Sequence, residues 1–177
     1  MVEQYAVVIK GIRPLLMHKY TVESESDSKK MKTRYDPKED AENALYKDDE
    51  GRICTPSIHI ESALSKAATS FKQPGKGRKT YRDLIKSGIQ IEPLNIPHKY
   101  PEWKIDIQRA VIGRSAVPRA RPRFDKWELE FIINLVDPTI VPATLQEILN
   151  DAGRYIGIGD YRPRYGLFEV TKFERVQ

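Results

Sequence analysis

WELEFIINLVDPTIVPATLQEILNDAGRYIGIGDYRPRYGLFEV, Trp127 to Val170, is the stretch that decides the fold. Its opening alternates. Trp127, Leu129, Phe131, Ile133 and Leu135 stand against Glu128, Glu130 and Asn134, the period of two of a half-buried strand. The period then lengthens: Leu145, Ile148, Leu149 and Ala152 recur at helical spacing behind Pro142. This predicts a helix over 142–152, with Gly153 placed as its left-handed terminator. A glycine-rich loop follows, and Gly166 to Val176 reads as a last strand.

Working outward, Lys104 to Ile112 (KIDIQRAVI) is the next clear strand. Being consecutive with Trp127 to Val136, it is expected to pair with it as an antiparallel hairpin across the connection GRSAVPRARPRFDK. Gln4 to Ile12 (QYAVVIKGI) supplies a first strand, with Tyr5, Val7 and Ile9 on one face. Thr55-Pro56 reads as a helix start, a capping hydroxyl followed by proline at the first helical position. Ile60, Leu64, Ala67, Ala68 and Phe71 continue it until Gln73-Pro74-Gly75 stops it, and a short helix is expected around Tyr81 to Lys86. The order β-α-β-β-α-β is that of an α+β, ferredoxin-like fold: an antiparallel sheet with two helices on one face.

Residues 20–50 read as a polar insertion, partly mobile, because Tyr20 to Lys38 has almost nothing to bury. Glu39 to Tyr46 adds a helical turn or two. At 177 residues the whole of 1–177 is expected to be a single domain.

Composition narrows the function. With 40% hydrophobic and 31% charged residues, no apolar run approaches the roughly 20 residues of a membrane span. The N-terminus is strand-like and unlike a signal peptide, and a single cysteine, Cys54, leaves no disulfide framework and no cysteine-rich zinc site. A cytoplasmic protein is expected. The net charge of +5 is modest but segregated. Lys72, Lys76, Arg78, Lys79 and Arg82 form one basic cluster, Arg114, Arg119, Arg121 and Arg123 a second, and Arg154, Arg162 and Arg164 a third. Acidic residues gather instead between Glu23 and Glu50. Such segregation is the footprint of a protein that meets phosphate backbones; the alternative is a well-solvated surface.

The loop Gly153 to Gly166 carries the sharpest expectation. Gly153, Gly157, Gly159 and Gly166 would let backbone N–H groups approach phosphates. Arg154, Arg162 and Arg164 would donate to phosphate oxygens, and Tyr155, Tyr161 and Tyr165 would stack on unpaired bases. The plain alternative is a helix terminator and hairpin turn with tyrosines packed on the sheet edge. In the connection Arg114 to Lys126, Pro118 and Pro122 alternate with arginines, which predicts a stiff, extended, cationic finger unable to fold back into the sheet. Lys72 to Arg82 is a basic, flexible stretch suited to tracking a phosphate chain or simply to solvation.

Three segments carry a resemblance. GIRPLLMHK after the first strand, EGRICTPSIHIESALSKAA, and GRYIGIGDYRPRYGLFEV together resemble the RAMP superfamily, the RNA-binding proteins of CRISPR effector complexes. Similar small proteins also occur in phages and mobile elements. The resemblance implies a non-catalytic protein of antiviral defence that holds single-stranded RNA, guide RNA included, by backbone and stacking contacts. It also implies self-association or other subunits of a repeating ribonucleoprotein, and no cofactor. The chain is shorter than most CRISPR backbone subunits, so their large decorating subdomains are expected to be absent.

RNA-processing relatives in that superfamily use histidine as general acid–base, so His18 and His59 are the weak catalytic candidates for an alternative, a metal-independent endoribonuclease. A phage structural or assembly protein is the other alternative. His98 completes the histidines, and no HxH, HxxxH or paired-cysteine spacing suggests a metal. Gly157-Ile158-Gly159 follows a helix and precedes a strand, the reverse of a dinucleotide fingerprint.

Overall fold

The computed structural model describes residues 2–20 and 35–176. Its elements run β1 (Glu3–Gly11), β2 (Leu15–Leu16), α1 (Pro37–Asn43), β3 (Cys54–Pro56), α2 (Ser57–Ala67), α3 (Arg82–Gly88) and β4 (Ile89–Glu92). They continue with β5 (Asn95–Pro97), β6 (Lys104–Ile112), β7 (Ser115–Phe124), β8 (Glu128–Leu135), α4 (Pro142–Asp151) and β9 (Phe168–Arg175).

Strict alternation sets the central pair. β1 lies antiparallel to β8 with Tyr5 opposite Ile133, Val7 opposite Phe131 and Ile9 opposite Leu129. One set of side chains therefore points the same way across both strands, and it is buried. With β9 on the far side of β1 and β4 on the far side of β8, the sheet order is β4-β8-β1-β9. Ile60 and Leu64 of α2 and Leu145, Ile148 and Leu149 of α4 cover that one face, all at 0% exposure. Each such side chain contributes about 1.5–3 kcal/mol on leaving water. This is the ferredoxin-like α+β arrangement, β1-α2-β4-β8-α4-β9.

Two expectations are corrected. The second core strand is β4, while Lys104 to Ile112 leaves this sheet altogether. That segment, β6, pairs along its whole length with β7, which is the arginine-rich connection itself. The finger expected to stay out of any sheet is thus half of a long hairpin turned at Gly113-Arg114. Strand parity explains why its prolines are tolerated. Pro122 C=O accepts from Met17 N–H on the side away from β6, so Pro122 and Pro118, four residues apart, both face away from the β6 ladder. Neither position would have donated to it.

Local starts and stops differ as well. Thr55 and Pro56 belong to β3, paired with β5, so the helix begins at Ser57 without a side-chain cap. The Thr55 hydroxyl meets His98 Nε2 at 2.8 Å instead. Helix α4 begins with Pro142 as expected but runs past Gly153 in a π-type turn, Ala152–Ile156, which Gly157 ends at φ 73°. Of the insertion, residues 21–34 lie outside the described residues. Residues 37–46 are packed, with Asp36 capping α1 and Ala41, Ala44 and Leu45 buried.

Candidate nucleic-acid interface

The odd-numbered face of β7 meets the loop 157–166. Arg121, 7% exposed, has its Nε 2.5 Å from Asp160 Oδ2 and its guanidinium 4.8 Å from the centre of the Tyr161 ring. The N–H is not aligned on the carboxylate, so this is a contact of charges rather than a directed hydrogen bond, and Arg121 NH1 meets no acceptor among the described residues. On the same face Gln108 Nε2 donates to the Tyr165 hydroxyl at 3.2 Å. From β1's end, Arg13 NH1 donates to Arg164 O. Arginine ladder and glycine loop, far apart in sequence, form one surface.

Most of the ladder is already paired. Arg119 lies 3.9 Å from Asp40, and Arg123 lies 3.5 Å from Asp106 and 2.7 Å from Asp125. The two hydrogen bonds from Lys104 and Arg123 hold the Asp125 carboxyl below its usual range. The loop's own arginines differ: Arg154, Arg162 and Arg164 are exposed, and none has an ion-pair partner among the described residues. Tyr155 and Tyr161 also face solvent, whereas Tyr165 is half-buried. Tyr161 adopts φ 52°, a left-handed conformation rare for a bulky aromatic and held here under Arg121.

The glycines have another job than the one expected. A Cβ on Gly166 would overlap Ile158 O, and one on Gly159 would sit 2.5 Å from Leu16 O. The loop folds on itself and on β2 too closely for any side chain there. Its N–H groups are largely spent internally: Ile158 donates to Gly166 O at 3.0 Å, Asp160 to Leu16 O at 2.9 Å, and Gly166 to Pro14 O at 2.8 Å. The expected nest of backbone donors for phosphate is therefore not what these glycines build. Side chains are what the loop offers outward.

Two hollows flank Gly159-Asp160. One, of about 280 Å³, is lined by Lys66, Tyr155, Tyr161 and Arg162 together with Ile156 and Pro163. The other, of about 130 Å³, is lined by Leu15, Leu16, Met17, His18, Tyr46, Thr55 and His59. The two weak catalytic candidates thus share one cavity. Burial pushes both imidazoles below their ordinary range, helped by Arg121 at His18 and by Arg162 at His59.

The remaining basic residues stand apart. Lys72, Lys76, Arg78 and Lys79 are exposed on a small hairpin closed between Lys72 and Thr80, and Arg114 sits at the tip of the β6–β7 hairpin. No hydrogen bond or ion pair among the described residues ties either to the loop 153–166. Sequence reasoning missed Lys66, Tyr46, Thr55 and Asp160. Lys66 shows one signal, an exposed cation on the turn of α2 that meets the loop; an acid among basic residues, Asp160, was a second.

Among the described residues no group of histidine, cysteine or carboxylate side chains could hold a metal ion, and no helix is long and apolar enough to cross a membrane. No family model and no curated protein matches the chain. Its fold is similar to that of a chain in the cryo-EM structure of the Type III-B Cmr-beta bound to cognate target RNA, with a TM-score of 0.67 and 12% identity. The match covers 99% of this chain and 61% of that one, so this chain spans about three fifths of the length of its structural neighbour.

Proposed function

We propose that the chain is a single RAMP-like domain that binds single-stranded RNA, guide RNA included, without cleaving it. It works as one subunit of a repeating CRISPR-type ribonucleoprotein, alongside further copies or other subunits. One observation carries this reading: Lys66, Arg162 and the solvent-facing Tyr155 and Tyr161 line one hollow, and exposed Arg154 and Arg164 belong to the same loop. Unpaired guanidinium groups satisfy phosphates, and outward rings accept stacked bases. The likeness to a chain of an RNA-bound Cmr assembly agrees with it. Arg114 and the Lys72–Arg78–Lys79 hairpin, Lys76 included, extend the cationic surface along the strand's path.

A surface shared by all ferredoxin-like sheets, the uncovered face, is a poor alternative here. Its exposed strand residues include Glu92, Glu130 and Glu169, which with Glu174 outnumber Lys10 and Lys172, and none of the strand residues on it is aromatic. Its net charge is unfavourable to phosphate, and it gives bases nothing to stack on.

The test is fluorescence anisotropy of a labelled single-stranded RNA with the wild type and an Arg162→Glu/Arg164→Glu variant. Affinity falls at least about tenfold in the variant, since each charge-assisted contact is worth about 1.5–3 kcal/mol. Unchanged affinity refutes the assignment of the loop. Because His18 and His59 share a cavity, a metal-independent endoribonuclease is the second reading. Specific cleavage of the same RNA in EDTA, lost on His→Ala replacement, would establish it in place of the first.

A further inference from the structure

The 130 Å³ hollow beside the loop has no role in the contacts just described, yet its walls are unlike those of a phosphate site. Its floor is apolar and rigid: Leu15, Leu16 and Met17 are 3% exposed or less. Two flat rings stand in its wall, Tyr46 and His59, edge to face with centroids 5.3 Å apart. Asp160 supplies a carboxylate whose Oδ2 faces Arg121 while the residue stays partly exposed. A single water needs on the order of 10–15 Å³ of such space, so the hollow admits something the size of a planar ring system.

We infer that this hollow receives one unpaired nucleobase of the bound strand, with Tyr46 and His59 as ring walls and Asp160 accepting from a base N–H. The inference rests on the RNA-binding reading above and adds a place for a base beside the loop that holds the backbone. Three features favour a base over a phosphate. The lining's one carboxylate, Asp160, already meets the Arg121 guanidinium, so the pair offers an anion no net positive charge. Imidazoles kept neutral by burial stack and hydrogen-bond rather than attract charge. The apolar floor gains by covering an aromatic ring and gains nothing from a hydrated anion. Bases splayed from a single strand are held in this way, on a ring and by their edges. Arg162, at the rim of the adjoining hollow and close enough to His59 to shift its titration, is placed for the phosphate of the same nucleotide.

The experiment is an NMR titration of the full chain that follows the ring signals of His18, Tyr46 and His59. The probes are guanosine 5′-monophosphate, uridine 5′-monophosphate and ribose 5-phosphate, with RNA binding measured in parallel by anisotropy. Nucleotides are expected to move the three rings and ribose 5-phosphate to leave them in place. In His59→Ala, nucleotide affinity drops about tenfold, the worth of one stacked base. Should that variant misfold, Tyr46→Leu serves the same purpose. Equal shifts with ribose 5-phosphate would make this an anion site and overturn the inference. Still rings, in a protein that nonetheless binds the RNA strand, would overturn it while leaving the RNA reading intact. Loss of strand binding as well would remove both.

Discussion

His98 shows how much a single buried side chain decides. Its ring lies 4.7 Å from that of Phe124, its Nε2 meets the Thr55 hydroxyl, and its Nδ1 has no partner among the described residues. Burial pushes its pKa down from the ordinary 6.5 to about 4. The folded protein therefore keeps it neutral where the unfolded chain would bind a proton. As pH falls from about 6.5 towards 4, the unfolded state gains that proton and the folded state does not, so stability is lost on acidification. The gap corresponds to about 3 kcal/mol at most. His18 and His59, also shifted down, act in the same direction. Urea unfolding at pH 7 and pH 4.5 is expected to show this loss, and His98→Gln to reduce it. An equal acid loss in the variant would exonerate His98. At this scale the sequence conveys type but not partner. Arginines in PRARPR look free as letters, yet Arg121 is buried against Asp160 and Tyr161, a pairing that crosses from β7 to a distant loop. Gly166 looks like backbone offered to a ligand, yet the carbonyl of Ile158 occupies that space.

Elements with a clean period were legible; those whose identity depends on a partner strand were not. Strands β1 and β8 and helices α2, α3 and α4 follow from alternation and helical spacing within a few residues. Strand β4, four residues long, carries too few letters to show a period. Strand β7 was misjudged because prolines usually exclude a strand from a sheet. The overlooked signal is their spacing of four, which keeps both on one edge. That edge is still used: Met17 N–H donates to Pro122 O, and Ala120 N–H donates to Asp40 Oδ2 at 2.9 Å. The other edge carries the ladder to β6, so parity alone decides what the hairpin tolerates. Val117 stands opposite Ala110 on the ladder parity. Val117→Pro is expected to remove a hydrogen bond from this pair and destabilise the hairpin by about 1–3 kcal/mol, measured as faster amide exchange in β6 and β7. Exchange that stays slow would mean the parity is reversed. Because Arg119, Arg121 and Arg123 share the face that meets the loop, a disturbed hairpin should also weaken how Tyr161 is held.

Over the whole molecule the charges are unevenly shared. Glu92, Glu130 and Glu169 outnumber Lys10 and Lys172 on the open face of the four-stranded sheet, while Arg154, Arg162, Arg164 and Lys66 belong to the loop and α2. Fold class could be read from the chain because it comes from local pattern. The division of the arginines into paired and unpaired could not, since it depends on carboxylates brought from α1, β6 and the loop. That division sets the salt dependence. Nine cations of the proposed path have no ion partner among the described residues: Arg154, Arg162, Arg164, Lys66, Arg114, Lys72, Lys76, Arg78 and Lys79. Single-stranded RNA releases about 0.7 counterion per contact, so the slope of log affinity against log salt should be about −6. Counting the three arginines of the β7 ladder as well would make it about −8. Arg162→Glu/Arg164→Glu should bring the slope to about −5, whereas Glu130→Gln/Glu169→Gln should leave both slope and affinity unchanged. A stronger grip after neutralising the sheet face would mean that the strand runs across it. A slope near −8 would mean that the ladder's carboxylates give up their arginines to phosphate when RNA arrives.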